Sequence, residues 1–331
     1  MPPSCSIYGT IGNHDNFPGD KFPHPFEGYR AISDIWGPWL DTEAKATIVD
    51  GGYYAQEVKA GLSLISINTL YLSTINPFVL DAENPARAFG FTMMDWFSRE
   101  LKKAAEKGNK VWVLGHIPAN LWLQEHEVRY QKLIEAHASI VQGQFYGHNH
   151  EDYATLTRRC ETDESCSGDP TGIVWVGPSL TEGWPAENPA IRQYVYGNEG
   201  GETSYQILES LTHWANLTKA NQVGHVDWEL EYDMRELFQM KDLQPASWLS
   251  VVERMRTDNK TWADHYAVRR RLYDGVMSGS SGSKCRNHNM TCALPLICEM
   301  SYFQQEMVKN CSAGMPRQVK AADLMSHHYK R

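Results

Sequence analysis

Three short stretches of this chain carry side chains able to ligate a metal ion. In Gly143-Gln144-Phe145-Tyr146-Gly147-His148-Asn149-His150 an apolar run ends in two histidines with one residue between them. Lys110-Val111-Trp112-Val113-Leu114 leads to Gly115-His116-Ile117-Pro118, and Gly12-Asn13-His14-Asp15 follows the apolar residues Ile7, Tyr8 and Ile11. Neutral imidazole is the commonest protein ligand for transition metals. Taken alone, His-Asn-His reads as a polar turn. Three strand–Gly–polar endings together place Asn13, His116, His148 and His150 at the carboxyl edge of a sheet, where open α/β folds bind ligands. If the chain stays extended past Gly147, side chains two apart point the same way, which puts His148 and His150 on one side. A glycine before each ligand is expected to permit a tight turn and to leave room for an ion. His24, His126, His137, His213, His225, His265 and His288 show no such spacing and read as surface or core residues.

The elements that must position these side chains follow from pattern. Tyr53–Val58 and Leu62–Asn68, joined by Lys59-Ala60-Gly61, read as a β-hairpin. Tyr29–Leu40 reads as a short or broken helix containing Pro38. Thr92 is the expected N-cap of a helix through Lys107 that ends at Gly108. The strand 110–114 then delivers His116. A helix over about 125–138 precedes the strand 140–146 that delivers His148. Helix, strand and Gly-His occur twice, the order of a layered α/β crossover. Strands are expected at Ile173–Val176, Arg192–Gly197 and Asp227–Met234. From Ala246 the chain turns helical: Trp248–Arg256 and Trp262–Tyr273 are amphipathic with basic faces, and the Trp and Tyr of 248–273 read mostly as helix packing, though exposed ones could contact lipid. Residues 275–283 read as a linker and 315–331 as a fraying tail.

Composition narrows the class. The 331 residues are 42% hydrophobic and 21% charged, with net charge −9, enough for a large domain and a smaller one. The acidic balance argues against a nucleic-acid polymer as partner. No run reaches the roughly 18 apolar residues of a membrane span. No signal peptide is visible after Met1. Even so, Cys160 and Cys166 lie close together, and Cys285, Cys292, Cys298 and Cys311 cluster late, leaving Cys5 over. Four glycosylation triplets begin at Asn216, Asn259, Asn289 and Asn310. These features favour a secreted or lysosomal protein whose leader lies outside the chain.

In order and spacing, Gly12-Asn13-His14-Asp15, Gly115-His116-Ile117-Pro118 and Gly147-His148-Asn149-His150 resemble the calcineurin-like metallophosphoesterases. More narrowly, the chain resembles acid sphingomyelinase and the acid sphingomyelinase-like phosphodiesterases. The narrower likeness rests on Gly-His-Ile-Pro, Gly-Gln-Phe-Tyr-Gly-His, Asn188-Pro189 with Arg192, Ala215-Asn216-Leu217-Thr218 with Asn221, and the cysteine-rich end.

The resemblance implies an α/β fold: a metallophosphoesterase β-sandwich flanked by helices over residues 1–240, and a small disulfide-rich helical module over 241–331. It implies a two-metal, usually Zn2+, hydrolase. Asn13, His116 and His148 match one ion's ligands, His150 matches a ligand of the other, and His14 matches the acid that protonates the leaving oxygen, with Asp15 as its orienting partner. It also implies the pairs Cys285–Cys292 and Cys298–Cys311, with Cys160–Cys166 as a third. Cations neutralise the oxygens of an anionic diester and lower the pKa of bound water, which is why such residues belong together.

One departure bears on activity. The family places Asp-X-His and Gly-Asp motifs before Asn-His, and these supply the remaining ligands. Here eleven residues precede Gly12 and none is Asp. The first strand–helix units are therefore expected to be missing, from a fragment or a degenerate copy. At most one ion would be well held, and turnover would be impaired. Nothing resembles the saposin-like domain of acid sphingomyelinase. The leading expectation is hydrolysis of sphingomyelin to ceramide and phosphocholine. A nucleotide or cyclic-nucleotide phosphodiesterase and an inactive secreted binding glycoprotein are the alternatives.

Overall fold

A computed structural model describes residues 5–162, 165–181, 187–271 and 290–313. Six strands, β1 (Tyr54–Lys59), β2 (Leu62–Ser66), β3 (Lys110–Leu114), β4 (Val141–Tyr146), β5 (Tyr153–Arg158) and β6 (Pro170–Val176), make one sheet in the order β1-β2-β3-β4-β6-β5. The inner four run parallel, and β1 and β5 pair antiparallel at the edges. Parallel strands covered on both faces need apolar residues throughout. Ile65, Val111, Val113, Val174 and Val176 meet that need and are buried.

A second sheet, β7 (Ala190–Tyr196), β8 (Ile207–Ala215) and β9 (Trp228–Asp233), is antiparallel. It packs on the first through aromatic rings. Trp112 meets Tyr196 at 4.9 Å between centroids, and Tyr194 meets both Phe145 and Trp175. The indole N–H of Trp112 donates to the Tyr205 carbonyl at 3.0 Å. This is the expected sandwich.

Helices α1 (Gly28–Trp36), α2 (Thr42–Gly51), α3 (Pro85–Lys107) and α4 (Gln124–Ala136) precede the strands that end at the site. The start of α3 differs from the expectation. Asn84 is the cap, accepting from the Ala86 amide, and Pro85 opens the helix. Proline there presets the helical φ and lacks a donor the first turn cannot use. Thr92 lies inside the helix, its hydroxyl turned back on the Ala88 carbonyl. Gly108 ends α3 at φ 74°, as expected.

After α5 (Leu217–Val223) and α6 (Met234–Phe238) come α7 (Pro245–Arg254), α8 (Asn259–Arg270), α9 (Met290–Ser301) and α10 (Gln305–Ala313). Trp248, Trp262, Ile297, Met300 and Phe303 are buried in the same apolar cluster as the strands. As expected of helix packing, Trp248, Trp262 and Tyr266 are buried in the core. One expectation fails here: the basic run closing α8 is no solvent face, since Arg269 and Arg271 are only 2% and 3% exposed. Cys160–Cys166 and Cys298–Cys311 are disulfides, and Cys5 is free and exposed. Cys292 is disulfide-bonded; its expected partner Cys285 and the linker 275–283 lie outside the described residues. Among the described residues no helix is long and apolar enough to cross a membrane.

Candidate metal centre

The loops after β3 and β4 meet the segment around Asn13 at one end of the sheet. The oxygen Oδ1 of Asn13 lies 2.9 Å from His116 Nε2 and 3.1 Å from His148 Nδ1. The two imidazoles stand edge to face, 5.3 Å apart. Three residues spread over 135 positions of the chain thus bring an amide oxygen and two imidazoles together. In a tetrahedral site with ligands near 2.0–2.1 Å, donors lie about 3.3 Å from one another. The amide oxygen is close to that spacing from each ring nitrogen, as donors to one small cation would be. Among the described residues no group of three or more His, Cys, Asp or Glu forms a metal site. The convergence here needs the amide.

Asn13 is itself held. Its Nδ2 donates to Asp20 Oδ1 at 2.8 Å, and its carbonyl accepts from the Asp20 amide at the same distance. Nδ2 therefore points away from the imidazoles and Oδ1 towards them. Asp20 escaped the sequence reading because it lies in a Pro- and Gly-rich stretch that reads as a loop. Asp15 was expected to orient His14. Instead its carboxylate accepts from the Gly12 amide at 2.7 Å and closes the loop. The His14 ring lies over Gly19, where a Cβ would come within 3.1 Å of Nδ1.

Two expectations about backbone are corrected. Residues 7–11 are not a strand. The Gly9 carbonyl accepts from the side chains of Tyr54 and Ser66, and Thr10 reaches the Ile67 carbonyl. The segment leans on the end of β2 through side chains and makes no ladder. His148 and His150 are not extended either, having φ of 69° and 61°. Left-handed backbone is uncommon for residues with a Cβ and tends to persist where surroundings over-determine it. Gly12 does serve as a spacer, since a Cβ there would lie 3.3 Å from the His116 ring, whereas at Gly147 it would lie 3.8 Å away, an ordinary contact. At Gly115 a Cβ would fall 2.5 Å from the Tyr146 ring.

Burial favours the neutral form of His116 and His150. Burial, then the neighbouring His150 and His14, lowers the pKa of His116 to about 4. Burial and His14 lower that of His150 as well. His150 and His14 thus sit close enough to be felt at His116. Neutral imidazole is the form that ligates a metal.

Residues 2–152 match the calcineurin-like phosphoesterase family, and residues 179–313 match the acid sphingomyelin phosphodiesterase C-terminal region. Sphingomyelin phosphodiesterase of Bos taurus is 34% identical over 265 residues, which cover 77% of this chain and 41% of that protein. Cyclic GMP-AMP phosphodiesterase SMPDL3A of Mus musculus is 30% identical over 321 residues, 91% of this chain and 67% of that one. Sphingomyelin phosphodiesterase A of Dictyostelium discoideum is 29% identical, covering 90% and 48%. The chain spans less than half the length of the two sphingomyelin phosphodiesterases.

Proposed function

Because this chain belongs to the acid sphingomyelinase family of calcineurin-like phosphoesterases, we propose that its function is metal-assisted hydrolysis of a phosphodiester, with sphingomyelin as the leading substrate. The observation that carries this reading is the meeting of Asn13 Oδ1 with His116 Nε2 and His148 Nδ1. Asn13, His116 and His148 would hold one divalent ion, Zn2+ by the resemblance, and His150 would contribute to a second. Such an ion supplies charge to the phosphoryl oxygens and activates water. His14, beside His150, is the group placed to give the leaving oxygen its proton. Asp20 fixes the amide of Asn13, and Asp15 fixes the loop that carries His14.

A nucleotide diester is the second reading. The 30% identity to the mouse cyclic GMP-AMP phosphodiesterase, over two thirds of its length, favours it. The disulfides and the exposed triplet residues Asn259 and Asn310 support a secreted or lysosomal setting. Any lipid contact would fall on Trp228, Leu230 and Val226, all about half exposed, and not on α7 or α8. Release of phosphocholine from sphingomyelin and hydrolysis of a cyclic dinucleotide, each with and without added zinc, test the proposal. Zinc-dependent turnover of the lipid alone supports the leading reading. Turnover of the dinucleotide alone replaces it, and zinc-independence of both overturns the metal role.

A further inference from the structure

We propose that the helices after residue 245 are a positioning device for the ligand loop 147–150, working through Arg269 and Glu299. The inference rests on the reading that His148 and His150 are metal ligands. It goes beyond that reading by naming what holds them in place.

The loop needs outside support. His148 and His150 both carry left-handed backbone, and inside the loop the Asn149 amide donates to the Gly147 carbonyl at 2.8 Å. The next residues are gripped from elsewhere. Glu151 accepts from Arg269 Nε at 2.6 Å and is paired with Arg270. Asp152 is buried between Arg192 and Arg271 and accepts from Thr212. Its amide donates to the Arg269 carbonyl at 3.1 Å. The Arg269 guanidinium also stacks on the Tyr153 ring, 4.1 Å from the centroid. One arginine at the end of α8 therefore touches Glu151, Asp152 and Tyr153 in succession.

Glu299 on α9 closes the support. One carboxylate oxygen pairs with Arg269 at 2.6 Å, and the other accepts from the Tyr153 hydroxyl at 3.3 Å. That hydroxyl in turn accepts from Asn149 Nδ2 at 2.7 Å. A line of bonds thus runs from Arg269 through Glu299 and Tyr153 to the residue between the two histidines. Buried ion pairs are weak contributors to net stability, because desolvation offsets their attraction. Fixing the orientation of nearby ligands is a different role, and partners behind a metal's ligands carry large effects on affinity. Arg269 and Glu299 are positioning residues, since neither touches the donor atoms.

The test compares wild-type protein with Arg269→Met, Arg269→Lys and the double variant Arg269→Met/Glu299→Gln. Two readouts are taken: amide hydrogen exchange of the metal-free protein, and zinc affinity by competition with a chromophoric chelator. In Arg269→Met, exchange across 147–152 is expected to rise at least tenfold while β3 and β4 keep their protection. Zinc affinity is expected to fall about 10- to 100-fold, with partial recovery in Arg269→Lys. If Arg269→Met fails to fold because Glu299 is left charged and unpaired, the double variant removes that charge and is expected to show the same loosening. A folded variant with unchanged exchange over 147–152 overturns the inference, as does loss of the whole fold in both. A wild-type chain that takes up no zinc, beside a loosened loop in the variant, keeps the positioning role and overturns the proposed function.

Discussion

Asp20 accepts a 2.8 Å hydrogen bond from the side-chain amide of Asn13, and this bond sets which end of that amide faces His116 and His148. Replacing Asp20 by Ala frees the amide to rotate and present Nδ2, a donor, where a cation needs an acceptor. Asp20→Ala is expected to weaken zinc binding about 10- to 100-fold, while Asp20→Asn keeps part of it. Competition titration with a chelator reads both. Equal affinity in Asp20→Ala and wild type would show that the amide is held some other way.

His14 is expected to act on the leaving group and not on the metal. His14→Ala should leave zinc affinity within about twofold, near RT ln 2 or 0.4 kcal/mol. It should slow cleavage of a diester with an alkoxide leaving group by about 100-fold or more. Diesters releasing 4-nitrophenolate, which departs without a proton, should be slowed far less. A uniform loss across both kinds of substrate would remove the acid role from His14.

At Gly115 the neighbours leave no room for a methyl group. A Cβ there would lie 2.5 Å from the Tyr146 ring and 3.0 Å from Cγ2 of Thr69, the residue whose hydroxyl accepts from the Ile117 amide. Gly115→Ala is expected to cost about 1–3 kcal/mol by overpacking. It should also shift His116 enough to lower zinc affinity. Urea unfolding and the same titration check the two effects, and an unchanged unfolding midpoint would contradict the packing argument.

Glu127 on α4 gives stability a pH dependence. It is 1% exposed, with the Gln305 amide donating to it at 3.1 Å. Burial pushes its pKa up to about 8. Between pH 4.5 and 8 the native state keeps a proton that the unfolded chain releases. The stability this contributes is present below 4.5 and is lost as pH rises through 8, up to about 5 kcal/mol. His126 beside it has the opposite sign: burial lowers its pKa to about 4, so stability is lost as pH falls from 6.5 to 4. Comparing Glu127→Gln with wild type cancels the histidine contribution. The variant should match wild type near pH 5 and melt higher above pH 8, and a pH-independent difference would rule out the raised pKa.

Much of the architecture was legible because periodicity reports burial. The runs 110–114 and 140–146 read as strands, and the Gly-His after each pointed to ends at one edge of the sheet. What local pattern could not show was contact across distance. Arg269-Arg270-Arg271 reads as a solvated basic patch, since Glu151 and Asp152, two of the carboxylates that bury it, stand more than a hundred residues earlier. Asp20 was hidden for a related reason, its own surroundings being a proline-rich loop and its bond to the Asn13 side chain invisible in local pattern. The start of α3 was misplaced because a plausible cap at Thr92 outweighed Asn84-Pro85, where the chain begins to turn. The left-handed φ of His148 and His150 left no trace in residue type, because both positions are usually read for their ring chemistry.

The pairing of Glu151 with Arg269 has a bearing on how the protein is made. These two residues are 118 positions apart, so during synthesis at about 5–20 residues per second the histidine loop emerges many seconds before the guanidinium that steadies it. A nascent chain stopped after β9 would carry His14, His116, His148 and His150, yet lack the helices that lock their backbone. Ordering of the histidine loop therefore waits on the helices after residue 245, and a frameshift between β9 and those helices would loosen residues encoded far upstream.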